Sequence, residues 1–522
     1  MSTDTGERGG NRSHVLLMLF FGSLSLVWVF ITPIGAVPDE PAHVFYAAGV
    51  VRGQLGSGPS GHDLFIPTSV FTNVSDCYAT QPSVPLWTCT IPWGPDTIMK
   101  ATSAAAHYPP LYYALVGAPT LLPFGPPAWY LMRLLSVALS LVLVGLPLWL
   151  FRHRPTNWLV VGTLAALAPV FVSLAASVNP NGAETAAAAG MCLSAGFLFD
   201  SLRRGNRRDT TRAAASLAAT SAYLALARPA SFVEMVGLGV GLALLAPPTT
   251  WATVRRHWRH CLAWALIPAT ALAVSLLYTR WVGAPGGAAT TGSGQLAEIG
   301  TNAWAMSALL WWYLVETFGI LGWRDYSLPG WLEYAGLTAM LTPFAIGLVA
   351  GRWWQRLGLC VLALGALVVG PLAVGMFVFG TSWSGYQGRY ALPLIVALPI
   401  AGAAVAHLAG VTPRQTGRTA AAGLVWLVAL LHFWGWWMTV IRYGSGLPLF
   451  DDKTSQVREF HWYHGWLLTS VIAVGVLLSA ASAYALWRSL RTEPGWPHAA
   501  GQEVPLPGRA SEADFVTPLA RT

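Results

Sequence analysis

Six consecutive residues, Pro38-Asp39-Glu40-Pro41-Ala42-His43, carry the densest chemistry in the sequence. Two adjacent carboxylates and a histidine at i+4 directly follow a long apolar run. Pro41 suits a first helical turn, so Asp39 or Glu40 can serve as a helix cap. A cap needs one acid and explains neither the second nor His43. A positioned carboxylate can also act as a general base, taking the proton of an attacking hydroxyl. Two neighbouring acids should raise each other's pKa.

Four further clusters have residue types that could serve such a base. His107-Tyr108-Pro109-Pro110-Leu111-Tyr112-Tyr113 supplies phenols, and Asn179-Pro180-Asn181-Gly182-Ala183-Glu184 is a tight turn with an acid just inside the next helix. Arg228-Pro229 precedes Glu234, and Gly388-Arg389-Tyr390 is a short segment where glycine would let the backbone approach a ligand. Arg133 stands near the start of an apolar run. Ionisable groups inside apolar runs are functional candidates. Sugar transfer from a lipid-phosphate donor uses this set: a carboxylate takes the acceptor's proton, and arginine forks stabilise the leaving phosphate without a nucleotide-binding domain. A structural ion-pair network is the competing reading. The sequence has no Walker loop, no GxGxxG and no zincin motif.

The elements that must hold these residues are membrane helices. Of 522 residues, 54% are hydrophobic and 10% charged, and the mean hydropathy is +0.52. A soluble domain carries about 25% charged residues. Twelve runs near 15–34, 129–150, 156–176, 182–200, 213–228, 230–247, 261–282, 331–350, 357–380, 389–409, 419–441 and 465–487 approach the length of a span. The arginines then fall in alternate loops: Arg8 and Arg12, Arg152 and Arg154, Arg203 to Arg212, Arg255 to Arg259, Arg352 and Arg356, Arg414 and Arg418, and Arg488 onward. The positive-inside rule puts both termini in the cytoplasm of a multi-pass inner (plasma) membrane protein. The net charge of +8 is therefore an orientation signal, and no nucleic-acid partner is expected. Most acids, Asp39 and Glu40 included, map to the opposite, extracytoplasmic face.

The expected organisation is a cytoplasmic tail over 1–14, a transmembrane domain over 15–487, and a disordered cytoplasmic tail over 488–522. Outer loops cover 35–127, 283–330 and 442–464. Residues 44–53 read as a short amphipathic helix, and 303–321 as an aromatic-rich helix in the outer interface. Cys77 and Cys89, twelve apart in the first outer loop, are expected to be disulfide-bonded. Such a pair persists outside the cytoplasm, and without a histidine partner it makes a poor zinc site. No metal site or cofactor is called for. A divalent cation stays open, with Asp451-Asp452 a loose pair of acids.

The motifs occur in a fixed order: Pro38 to His43, Tyr108 to Tyr113, Asn179 to Asn181, Arg228-Pro229, Leu321-Gly322-Trp323 with Leu328-Pro329, and Gly388-Arg389-Tyr390 with Pro393. In this the chain resembles the bacterial predicted-membrane-protein family known as domain of unknown function 2142, over roughly residues 15 to 445. That family is similar to the GT-C glycosyltransferases, multi-spanning enzymes that use polyprenyl-phosphate sugars and carry an acidic motif in the first outer loop. The resemblance implies a catalytic position at Asp39 with Glu40 beside it, but no particular substrate.

The expected fold is an all-α polytopic membrane protein of about twelve helices, GT-C-like, with interfacial helices in the first outer loop. The expected activity is transfer of a sugar from a polyprenyl-phosphate donor to an envelope glycan, glycolipid or protein. Asp39 and Glu40 are the catalytic candidates. His43, Tyr108, Tyr112, Arg133, Asn181, Glu184, Arg228, Arg389 and Tyr390 are the binding candidates, with Arg389 and Arg228 on the phosphate. A lipid-linked-sugar flippase and a non-catalytic assembly protein are the alternatives. The first would need a polar path across the midplane, and the second would make the outer acids dispensable.

Overall fold

The computed structural model describes residues 12–56, 63–70, 72, 74–89, 97–123, 125, 127–154, 156–283, 312–373, 387–447, 460–492 and 496. The long helices are α1 (Ser13–Ile31), α5 (Pro127–Leu150), α8 (Pro180–Arg203), α9 (Arg207–Ala227), α12 (Trp258–Val282), α14 (Gly330–Ala350), α16 (Leu392–Leu408), α17 (Gln415–Gly444) and α18 (Trp466–Thr492). Between them lie α2 (Glu40–Val50), α3 (Ser75–Tyr78), α4 (Leu111–Val116), α6 (Asn157–Ala165), α7 (Pro169–Ala175), α10 (Ser231–Leu245), α11 (Pro248–Arg256), α13 (312–319) and α15 (Trp353–Leu364).

The bundle is built around α8 and α16. α16 is buried along its whole length and packs on α6, α8 and α14, while α8 lies against α5, α7, α9 and α16. Small residues make this possible. A β-carbon on Gly190 would stand 2.3 Å from the Leu143 carbonyl oxygen, and one on Gly402 would stand 2.4 Å from the Cα of Phe344. Lipid gives helices no hydrophobic drive to associate, so close backbone approach through glycine and alanine is the main source of contact energy.

Among the described residues nine helices are long and apolar enough to cross a membrane, or eleven if each of two bent pairs is one span. The twelfth expected span, 213–228, lies in α9. That helix has the length but begins Arg207-Arg208-Asp209-Thr210-Thr211-Arg212, and its composition falls short. The expected span 156–176 is broken: α6 and α7 meet at 86°. Pro169 opens α7, so one missing amide donor costs nothing there. The Leu167 carbonyl freed by the break is met by His432 Nε2 at 3.1 Å, the kind of repair a broken helix at membrane depth requires. A second break, 105° between α10 and α11, divides the expected span 230–247 from Arg255 and Arg256.

The first long loop is not purely helical. It contains a two-stranded antiparallel sheet of β1 (Asp63–Pro67) and β2 (Ile98–Thr102), with Asp63 opposite Thr102. The helix expected over 44–53 is α2, which starts earlier and is buried almost all round rather than amphipathic. Cys77 and Cys89 are bonded, with their Cα atoms 5.9 Å apart. Arg442 of α17 fastens that disulfide loop by donating to the carbonyls of Val84 (2.7 Å), Tyr78 (2.8 Å) and Gln81 (3.1 Å). Of the expected helix 303–321, residues 312–319 form α13, while 303–311, Asp451-Asp452 and nearly all of the carboxy-terminal tail lie outside the described residues.

Candidate functional site

The loop from Thr32 to Asp39 is held by donors from distant parts of the chain. Arg133 on α5 donates to the carbonyls of Val29 (2.9 Å), Thr32 (2.7 Å) and Pro33 (2.8 Å). Tyr78 donates to the Ile34 carbonyl (2.8 Å), Trp323 to that of Gly35 (3.1 Å), and Tyr443 to that of Ala36 (3.2 Å). Asn179 Nδ2 and Arg389 Nη1 share the Pro38 carbonyl at 3.1 and 3.2 Å. Each buried carbonyl has a partner, as a loop inside a membrane bundle must. Together these bonds fix where Asp39 stands.

The two acids have different fates. Glu40 is fully buried. Its Oε1 accepts from Arg133 Nε (2.8 Å) and the Val178 amide (3.0 Å); its Oε2 accepts from Arg133 Nη2 (2.6 Å) and the Gly35 amide (3.2 Å). The pair is bidentate, and Arg133 is saturated by the carbonyls above. Such a carboxylate has no lone pair left for a substrate. Asp39 instead sits in the left-handed conformation (φ 64°) at the start of α2 and makes no capping bond. Left-handed backbone is uncommon outside glycine, although Asp and Asn tolerate it best. Its carboxylate pairs with Arg389 Nη2. The Asp39 side chain is 49% exposed, whereas Arg389 is 7% exposed.

This arrangement reverses the expected pKa effect. Burial favours a higher value for Asp39, but the Arg389 guanidinium, with Arg228 beyond it, outweighs burial and holds the carboxyl below its usual range. Glu40 raises nothing, because it is spent on Arg133. His43 Nδ1 lies 2.9 Å from the Tyr113 hydroxyl. Burial depresses its pKa to about 3 against the pull of Asp39, so the ring is neutral at physiological pH.

Around Asp39 and Arg389 the aromatic and basic residues alternate. The Tyr390 ring lies between two guanidiniums, with Arg228 5.1 Å and Arg389 5.3 Å from its centroid. The Tyr108 ring is 5.7 Å from Arg228 and 5.7 Å from the His43 ring. Arg228 is buried and bound: its Nη1 reaches Glu184 Oε2 at 2.8 Å, and Ser231 donates to the other Glu184 oxygen. The structure therefore gathers Asp39, His43, Tyr108, Arg228, Arg389 and Tyr390, with Glu184 one contact behind. Tyr112 does not join them; its hydroxyl meets Ser136 of α5 at 2.7 Å. Asn181 serves the turn, its amide donating to the Asn179 side chain at 3.0 Å. Asn179 is the residue of that motif that reaches the site loop, and the helix-cap rule for an Asn before Pro at N1 would have marked it.

Glu316, Arg324 and Asp325 were missed by sequence reasoning. Glu316 Oε2 accepts the Gly388 amide at 3.0 Å, and its Oε1 meets Arg324 Nε at 2.5 Å. Gly388 is needed for packing rather than for ligand approach: a β-carbon there would stand 2.3 Å from the Tyr313 carbonyl oxygen. Asp325 takes Arg442 Nε at 2.6 Å. A usable signal was an isolated acid in an aromatic run for Glu316, and charge directly after Trp323 for the others. Beside Pro38 opens a cavity with about 40 Å³ of space for water centres, lined by Trp28, Ser173, Glu316, Arg324 and Arg389 among others. Among the described residues no three His, Cys, Asp or Glu side chains are grouped to hold a metal.

The dependence of Asp39 on Arg389 predicts a pH effect. A carboxylate held below its usual pKa stays ionised until the pH falls through that lowered value. Arg389→Gln removes the largest charge that depresses the carboxyl, so the pKa should rise. The acid limb of any Asp39-dependent activity should therefore move to higher pH in that variant. A pH–rate profile with an unmoved acid limb would remove Arg389 as the source of the shift.

A family model described as predicted membrane protein (DUF2142) matches residues 20–398. No curated protein matches. Among solved structures, the crystal structure of ArnT from Cupriavidus metallidurans bound to undecaprenyl phosphate aligns with 91% of this chain and 75% of that one. The identity is 14% and the TM-score 0.38, too loose a superposition to transfer any residue. The family match takes in most of α1, the acidic loop, the Asn179 turn and the Gly388–Tyr390 segment, and the chain belongs to the predicted membrane protein (DUF2142) family.

Proposed function

We propose that the protein is a membrane glycosyltransferase that moves a sugar from a polyprenyl-phosphate donor to a cell-envelope acceptor. The observation that carries this reading is the division of labour between the two acids. Glu40 is consumed by Arg133, whereas Asp39 is half exposed, conformationally forced, free of any capping role, and paired with an arginine beside a cavity. A structural network would have no use for the second acid in that posture. Left-handed backbone at a non-glycine residue costs on the order of 1–3 kcal/mol and collects at functional sites.

In the proposed reaction the acceptor hydroxyl attacks the anomeric carbon of the donor. Its proton passes to the Asp39 carboxylate, the new C–O bond forms, and the bond from the anomeric carbon to the phosphate oxygen breaks. The phosphate leaves on the polyprenyl chain with its charge set against Arg389. Entry of that phosphate also competes with Asp39 for the guanidinium. As Arg389 turns to the donor, Asp39 loses the cation that depresses its basicity, so the base strengthens when substrate is present. Arg228 backs this arrangement through Tyr390, neutral His43 and Tyr108 line it, and Glu40 with Arg133 is the brace beneath. In this reading the site faces the extracytoplasmic side of the inner membrane, both termini are cytoplasmic, and the acceptor is an envelope glycan, glycolipid or protein.

The test is a comparison of lipid-linked sugars and envelope glycans between a deletion strain and strains restored with the wild-type or the Asp39→Asn gene. The deletion should accumulate a polyprenyl-phosphate sugar and lack one envelope sugar. Wild type should restore both, and Asp39→Asn neither. Restoration by Asp39→Asn would point to a non-catalytic membrane protein.

A further inference from the structure

The geometry points to Arg324, rather than Arg228, as the second cation that receives the phosphate of a lipid-borne ligand, with Glu316 occupying it until that ligand arrives. The inference rests on the glycosyltransferase reading and adds a residue and an exchange to it.

Arg228 cannot serve without breaking a buried ion pair with Glu184, and it does not line the cavity. Arg324 lines the same cavity as Arg389. It sits on the turn between β3 (Ile320–Leu321) and β4 (Tyr326–Ser327), with φ at 64°, a conformation that arginine seldom adopts. The turn is clamped on both sides: Trp323 donates to the Gly35 carbonyl of the Asp39 loop, and Asp325 pairs with Arg442. The strained position therefore holds the Arg324 side chain toward the site instead of leaving it to solvent. That side chain is 38% exposed, and it pairs through Nε with Glu316 and with no other carboxylate among the described residues.

Glu316 also holds the Gly388 amide, one residue before Arg389. One carboxylate thus ties the hairpin arginine to the backbone of the site arginine, on one wall of the cavity. The space there holds about three waters, which the oxygens of a phosphate would displace. A phosphate between Arg324 and Arg389 gains two charge-assisted contacts. Burial pushes the Glu316 carboxyl above its usual range, so a Glu316 released by Arg324 can take up a proton while keeping its bond to Gly388.

The exchange predicts opposite effects from the two partners of one ion pair. The probes are farnesyl phosphate and farnesol, titrated by calorimetry into the full-length protein in phosphatidylcholine nanodiscs. Glycine accepts the left-handed backbone, so Arg324→Gly should fold as well as wild type, which its thermal midpoint checks. It should bind farnesyl phosphate about 10-fold more weakly, the worth of one charge-assisted contact, and farnesol unchanged. Glu316→Gln keeps the Gly388 bond and frees Arg324, so it should bind farnesyl phosphate more tightly than wild type. Inorganic phosphate should displace farnesyl phosphate from wild type at lower concentration than it displaces farnesol. Equal affinity of wild type and Arg324→Gly for farnesyl phosphate overturns the assignment and leaves the proposed function standing. Weakening by both variants overturns it too, because the pair would then merely hold the hairpin. A wild type that does not distinguish farnesyl phosphate from farnesol overturns this inference and the proposed function together.

Discussion

Asp39→Asn should leave the protein folded and lower turnover about 10²–10⁴-fold, the usual loss when a general base is removed. Folding is spared for a specific reason. Asp39 occupies left-handed backbone, and asparagine tolerates that region as well as aspartate does. No capping bond is lost, because none is made. The amide oxygen can still accept from Arg389, so the loop keeps its position; what disappears is the charge and the ability to take a proton. Size-exclusion profile and thermal midpoint in detergent should match wild type, and turnover of a polyprenyl-phosphate sugar should not. A folded, fully active Asp39→Asn protein would end the base assignment.

Glu40→Gln should do the reverse and act mainly through stability. Removing one partner of a buried ion pair leaves the other charge uncompensated, at a cost of about 3–5 kcal/mol. Here the stranded group is Arg133, which is fully buried. The new amide could still accept from one or two of the donors that now meet Glu40, but the bidentate charged contact would be gone. Loss of the pair also loosens the carbonyls of Thr32 and Pro33 and so releases the Asp39 loop. The expected result is a sharply lower thermal midpoint and a reduced yield of folded protein. Replacing both residues by leucine should not recover the midpoint, because the Thr32 carbonyl and the Gly35 and Val178 amides would lose their partners along with the pair. A stable but inactive Glu40→Gln protein would return Glu40 to the chemistry.

Much of the architecture was open to reading because lipid imposes simple rules. A chain with 10% charged residues has to form helices across a bilayer, and the start of nearly every span could be placed from hydropathy. The count was harder. α9 opens with four charged residues among its first six and is not apolar enough to qualify, while the run 156–176 hides a right-angled break at Ala168-Pro169. A hydropathy window averages over both features. The small sheet in the first loop was invisible for another reason: β1 and β2 are thirty residues apart, and nothing local pairs Asp63 with Thr102.

Residue types out of place in an apolar chain can be read directly from the amino-acid order. Asp39, Glu40, Arg133, Glu184, Arg228 and Arg389 could all be marked, because a charge in a membrane segment is costly wherever it ends up. The sequence also supplied the order of the motifs that identifies the family. Which charges pair is set by the packing of the helices. Glu40 and Arg133 are 93 positions apart, Asp39 and Arg389 350. Adjacent residues on a chain turning into a helix point in different directions, so Glu40 goes into the bundle and Asp39 to its opening. The same packing spent Arg228 on Glu184, sent Tyr112 to Ser136, and brought Arg324 to the cavity. Charge can be counted along a chain, but its compensation depends on distances of a few ångströms between helices that only packing sets.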